Sequence, residues 1–182
     1  MKLAGLRLRQ RDGVTCGPSV AVVAGALLDP TYRAALMRPD AQDVGAPGRA
    51  WFASEQRRVH AEVNRLWPRR LGTTPMGVAH ALTVHSAPFG VRYRWRLFHG
   101  RRDPLRDVLG EVNAGWPVAM LVGRFIPRHW VLIVGAAGET LQCYEPSSGE
   151  LRPAEPAAIR RARLTGLGYP RPFAFVLPHH PR

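Results

Sequence analysis

Residues 10–18 read Gln10-Arg11-Asp12-Gly13-Val14-Thr15-Cys16-Gly17-Pro18, and the chain turns from polar loop to apolar run at the cysteine. Beyond it, Val20, Val23, Ala24, Leu27 and Leu28 follow the i, i+3, i+4, i+7, i+8 spacing of one buried helix face. Pro18 is tolerated in a first turn, and Asp29-Pro30 reads as the stop. A cysteine opening this helix sits at the positive end of the helix dipole, which favours the thiolate, the nucleophilic form. Gly17 lets a substrate carbonyl approach the backbone closely. Gln10 can bring a side-chain NH₂ beside the Cys16 backbone N–H, and the two donors together would hold an oxyanion. The plainer alternative is a small buried apolar residue at a helix start, the common state of a free cysteine.

Working outward, 40–48 reads as loop. A helix is expected from about Trp51 to Leu66, with Phe52, Val59, Val63 and Leu66 on one face and Pro68 as its stop. Thr74-Pro75 is an N-cap followed by proline at the first helical position, ahead of Val78, Ala81, Leu82 and His85. Residues 91–98 alternate, so Val91, Tyr93, Trp95 and Leu97 are expected inside and Arg92, Arg94 and Arg96 in water. Asp103-Pro104 is expected to start a further helix that buries Leu105, Val108, Leu109 and Val112 and stops at Gly115. Strands are then expected at 117–122, 130–134, 140–144 and 173–177. Helices first and strands later predict an α+β domain, a helical N-terminal half packed on an antiparallel sheet from the C-terminal half.

Two further stretches carry chemistry. His129 heads the apolar run Trp130-Val131-Leu132-Ile133-Val134-Gly135, which would anchor it facing a cleft. Sixteen residues on, Tyr144-Glu145-Pro146-Ser147-Ser148-Gly149 closes the next strand. Adjacent antiparallel strands would bring Glu145 to His129, where a carboxylate can hold the imidazole tautomer and stabilise its charged form. Glu145 is otherwise an ordinary acid capping a turn. Cys143, two residues earlier, is expected to pack in the sheet.

These blocks carry a resemblance. Gln-x5-Cys-Gly-Pro at a helix start, then Gly115-Trp-Pro-Val-Ala-Met-Leu-Val122, then His129-Trp-Val-Leu-Ile-Val-Gly135, then the 144–149 turn, resemble the C39-like branch of papain-fold cysteine peptidases, in order and from Gln10 to Gly149. The resemblance implies a papain-like fold, with Gln10 as oxyanion donor, Cys16 as nucleophile, His129 as general base and Glu145 as orienting residue. The chain departs from that family at Glu145, usually Asp or Asn, and at Thr15, where many relatives have Asp; Asp12 is a candidate substitute.

The implied activity is a cysteine peptidase that cleaves a peptide or leader-peptide amide bond through a thioester. An acyltransferase or amidase on the same residues is one alternative, and a non-catalytic binding module on the protease fold is another. The 182 residues suit a single domain spanning 1–182, with no transporter segment attached. The net charge of +13 comes almost wholly from arginine, Lys2 being the only lysine. It makes an acidic protein a reasonable substrate or partner. Nucleic acid is disfavoured, because Tyr93 and Trp95 are expected to face away from the strand's arginines. Two cysteines make neither a disulfide framework nor a zinc cluster, so no metal or cofactor is expected. No apolar run has the length of a membrane span, and no signal peptide is evident. Unpaired thiols then point to the cytoplasm. Oligomeric state is left open.

Overall fold

The computed structural model describes residues 8–38, 48–63 and 72–181. Helix α1 (Cys16–Leu28) starts and stops where the periodicity places it. Asp29 does more than end it. Its Oδ1 accepts from the backbone N–H of Thr31 and Tyr32 at 2.8 and 3.1 Å, capping a second helix, α2 (Pro30–Leu36). The Asp-Pro pair read only as a stop is thus also a start, with proline at N1 where its missing N–H costs nothing. Helix α3 covers Arg49–Val63; its expected continuation through Leu66 to Pro68, and nearly all of the expected 40–48 loop, lie outside the described residues. Helix α4 (Pro75–Ser86) is capped by Thr74, whose Oγ1 accepts from Gly77 N at 3.1 Å.

Six strands follow: β1 (Arg92–Leu97), β2 (Val118–Gly123), β3 (Pro127–Ala137), β4 (Thr140–Glu145), β5 (Glu150–Ala154) and β6 (Arg171–His179). They form one antiparallel sheet in the order β1-β6-β2-β3-β4-β5. Helix α5 (Arg106–Asn113) precedes β2, and the short helix α6 (Pro156–Arg160) follows β5. The architecture is α+β.

Both faces of the sheet are covered. Ala119 and Leu121 of β2, Trp130 and Leu132 of β3 and Tyr144 of β4 pack with α1, α3 and α4. Val118, Met120 and Val122, Val131 and Ile133, and Cys143 pack on the other face with Leu105, Val108 and Val112. Two-sided burial is why β2 and β3 are continuous apolar runs, although antiparallel strands commonly alternate.

Two expectations need correcting. The proposed helix start at Asp103-Pro104 is displaced to Arg106. The Asp103 carboxylate accepts instead from Leu105 N, His99 N and the Arg96 guanidinium (2.6 Å at its closest), and Leu105 takes a left-handed φ of 56°. Along β1 the inward face holds for Val91 and Tyr93 only, since Trp95 is 43% and Leu97 60% exposed. The outward face also fails at Arg96, which is half-buried and paired with both Asp103 and Asp107. Helix α4 secures the Tyr93 end, Thr83 Oγ1 accepting from Tyr93 N at 2.9 Å. The expected burial of Trp95, which had argued against nucleic acid, does not occur.

Candidate active site

Three chain segments meet where the N-terminus of α1 abuts the sheet. Trp130 closes one side: its indole N–H donates to the Thr73 carbonyl at 2.9 Å, which ties the segment before α4 to β3. Gly17 sits beneath this bridge. A Cβ there would lie 2.6 Å from Thr73 Cβ and 3.3 Å from Trp130 Cδ1, so only glycine allows the cysteine turn to dock this tightly.

The docking brings Cys16 beside His129, which is hydrogen-bonded to Glu145. The Cys16 side chain lies close enough to His129 to favour the charged imidazole. His129 Nε2 bonds Glu145 Oε1 at 2.8 Å, which leaves Nδ1 as the ring nitrogen for the thiol. Glu145 is fixed in turn by its own turn: Oε1 accepts from Ser147 N and Oε2 from Ser148 N, each at 2.8 Å. The longer side chain is thus absorbed by the turn, which supplies both oxygens with donors. His129 and Glu145 are both buried.

Burial alone would lower the basicity of His129. The hydrogen bonds and charge interactions with Cys16 and Glu145 outweigh it and raise the imidazole to about 9. Burial likewise pushes the Glu145 carboxyl up, yet the hydrogen bonds from His129, Ser147 and Ser148 hold it well below the usual carboxylate range. The resting pair is therefore imidazolium and carboxylate at neutral pH. Cys143 lies in the core on the sheet face opposite α1, where burial pushes its thiol up to about 12. It is no part of this line.

Gln10 joins the site through the backbone. Its N–H donates to Pro146 O at 2.8 Å, Arg9 Nε donates to Ser147 O at 3.0 Å, and Tyr144 OH donates to Leu8 O at 2.6 Å. Segment 8–10 therefore rides on the turn that holds Glu145. The Gln10 side-chain Oε1 is buried without a hydrogen-bond partner. Asp12 Oδ1 accepts from Val14 N at 3.1 Å, and Thr15 Oγ1 exchanges hydrogen bonds with the Asp12 backbone at 3.2 Å.

Two neighbours escaped the sequence reading. Tyr169 stacks on the His129 ring, with centroids 5.4 Å apart and planes at 29°. It arrives from the loop before β6, which has no periodicity to mark it. Gln56 is 1% exposed on the apolar face of α3. Its Oε1 accepts from Arg11 N at 3.2 Å and its Nε2 donates to Arg9 O at 3.4 Å, bracketing Gln10. A glutamine spaced i+4 from Phe52 and i−3 from Val59 was the available signal. Gln56→Met keeps the length and apolar packing but neither hydrogen bond. It is expected to lower stability by about 1–3 kcal/mol, the usual cost of leaving a buried polar group unpaired. Urea midpoints measure this; an unchanged midpoint would mean that segment 9–11 holds itself.

No protein-family model and no curated protein sequence matches the chain. Among solved structures it is similar to the peptidase domain of Streptococcus ComA, a bi-functional ABC transporter involved in a quorum sensing pathway. That similarity has 13% identity and a TM-score of 0.48, and covers 96% of this chain and 97% of that one. It is also similar to the Pseudomonas avirulence protein AvrPphB, with 13% identity and a TM-score of 0.46 over 90% of each chain. At that level of likeness, the chemistry rests on the geometry of Cys16, His129 and Glu145.

Proposed function

We propose that the chain is a C39-like cysteine peptidase that cleaves a peptide or leader-peptide amide bond through a thioester on Cys16, within a single domain spanning 1–182. The observation that supports this reading is the buried line from the Cys16 thiol through His129 to Glu145. In the proposed mechanism Cys16 Sγ attacks as the thiolate whose proton rests on His129; it bonds to the substrate carbonyl carbon, and the C=O π pair moves to oxygen. The Gln10 side-chain amide and the Cys16 N–H, which as a first-turn donor has no intrahelical partner, stabilise that oxyanion. Collapse expels the amine, which takes its proton from His129. His129 then removes a proton from water as it attacks the thioester; the acid leaves and the thiolate–imidazolium pair is restored. Glu145 keeps the ring oriented and charged throughout. An acyltransferase would differ only in the last step, with an amine replacing water. The chemistry needs a reduced thiol, which fits a cytoplasmic setting, and the exposed Arg92 and Arg94 suit an acidic substrate protein.

p-Nitrophenyl acetate tests the shared first half. Acid-quenched protein is expected to carry one acetyl group on Cys16, absent from Cys16→Ala. Partition of that acyl group between water and added glycinamide then separates peptidase from transferase. Nitrophenol release equal in wild type and Cys16→Ala would sink the catalytic reading.

A further inference from the structure

Beside Cys16 lies a hollow of about 330 Å³ whose walls include Thr73 and Met76 at the start of α4, Trp95 on β1, Leu121 on β2, and Arg128 and Trp130 on β3. Its surface is predominantly apolar, and Arg128 is its one charged lining residue. Trp95 and Met76 are 43% and 64% exposed. Single exposed apolar side chains are common and call for no explanation; here two open onto the same hollow as a candidate nucleophile. Tyr93 and Trp95 are two residues apart on β1 and so share a face of the strand. Helix α4 buries Tyr93, while Trp95, beside the first turns of that helix, stays partly exposed and forms one wall of the hollow.

His129 has both chain neighbours, Arg128 and Trp130, in this lining but does not line it itself. The β2–β3 register shifts beside His129, between Val122 and Gly123, and the imidazole lies outside the lining of the hollow. In the mechanism above the imidazole stands over the leaving amine. The hollow therefore belongs to the other half of the substrate, the half that stays on sulfur. Resting on that reading, we infer that the substrate residue on the acyl side of the scissile bond is bulky and apolar, aromatic or long aliphatic, and that it seats between Trp95 and Trp130. Arg128 disfavours a basic side chain there.

The test compares p-nitrophenyl esters of N-acetyl-glycine, N-acetyl-leucine, N-acetyl-phenylalanine and N-acetyl-lysine. Wild type is expected to favour phenylalanine and leucine over glycine by on the order of ten- to hundred-fold in kcat/KM, the range set by burying one such side chain. The lysine ester should fall below leucine. Trp95→Ala and Met76→Glu should each pull the phenylalanine-to-glycine ratio toward one; the glycine ester within each variant cancels any general loss of activity. Met76 is exposed in the first turn of its helix, where an acid is tolerated, so this variant remains informative if Trp95→Ala folds poorly. A wild-type ratio near one, or a ratio that survives both substitutions, overturns the inference and leaves the peptidase reading standing. If no ester is turned over in a Cys16-dependent way, the peptidase reading falls, and the hollow is probed without turnover. Cys16 alkylation by N-phenethyl-iodoacetamide is then set against N-methyl-iodoacetamide, each rate divided by that with glutathione. A preference for the aromatic reagent supports the hollow as an aromatic site, and its absence overturns it.

Discussion

Iodoacetamide at pH 7 is expected to alkylate Cys16 at least about a thousand-fold faster than Cys143 in the folded protein. Cys143 sits in the core with its thiol pushed up to about 12, so on the order of 10⁻⁵ of it is thiolate at that pH, and the thiolate is what reacts. Cys16 is itself only 3% exposed, but it borders a hollow, opens a helix and lies beside a ring that is held charged. His129→Ala removes that charge, and the alkylation rate of Cys16 should fall with it. Acyl transfer should fall further, by on the order of 10⁴-fold or more, because the same ring must also deliver the proton to the leaving group. The two readouts separate the roles: alkylation has no leaving amine to protonate. Mass spectrometry of peptides containing each cysteine measures the first, and nitroaniline release from a peptide p-nitroanilide, whose leaving amine needs the proton, measures the second. Comparable labelling of Cys16 and Cys143 in folded wild type would remove the activated nucleophile and move the binding-module alternative to first place.

What could be read in one dimension follows from which interactions are local. The start of α1, the Thr74 cap and strands β2 to β4 rest on periodicity and capping within a few residues, and all were legible. The meeting of Cys16 with His129 was approachable only through the order of four motifs, since neither residue's surroundings name the other. The failures share a cause in the opposite direction. Asp29 was read as a stop because its side chain's acceptance from Thr31 and Tyr32 is invisible until the chain turns. Asp103 looked like a helix start because its partner Arg96 lies in another element. Strict alternation along β1 fixes which way Trp95 points, but whether anything covers it depends on where α4 begins in space. Gln56 and Tyr169 are tied to the site by contacts across 47 and 40 residues respectively, and no local pattern records such contacts.

Glu145→Ala is expected to change both stability and the pH at which activity is lost. In wild type the imidazole is raised to about 9 from an unfolded value of 6.5. A raised basic group stabilises the fold in full below its unfolded value, and the contribution disappears as pH rises through the folded value. The window is therefore about 6.5 to 9, and the contribution is about 3 kcal/mol at 1.36 kcal/mol per unit. The Glu145 carboxyl is depressed below its unfolded 4.5, so its contribution is present above that pH and lost as pH falls through the lower folded value. The pair is thus at its most stabilising between about 4.5 and 6.5. Replacing Glu145 by alanine removes one of the two side chains that raise the ring, Cys16 being the other, and leaves the Ser147 and Ser148 N–H groups without their acceptor. Loss of one member of a buried pair costs about 3–5 kcal/mol, so urea midpoints at pH 6 should drop sharply while those at pH 10 drop less. Expulsion of an amine needs the protonated ring, so with an amide substrate the alkaline limb of kcat/KM, near pH 9 in wild type, should move down from there toward the ordinary histidine value of about 6.5. Glu145→Asp, which keeps the charge on a shorter arm, should restore part of that displacement if charge rather than reach sets it. An alkaline limb identical in wild type and Glu145→Ala would mean that the carboxylate caps its turn and does nothing for the histidine.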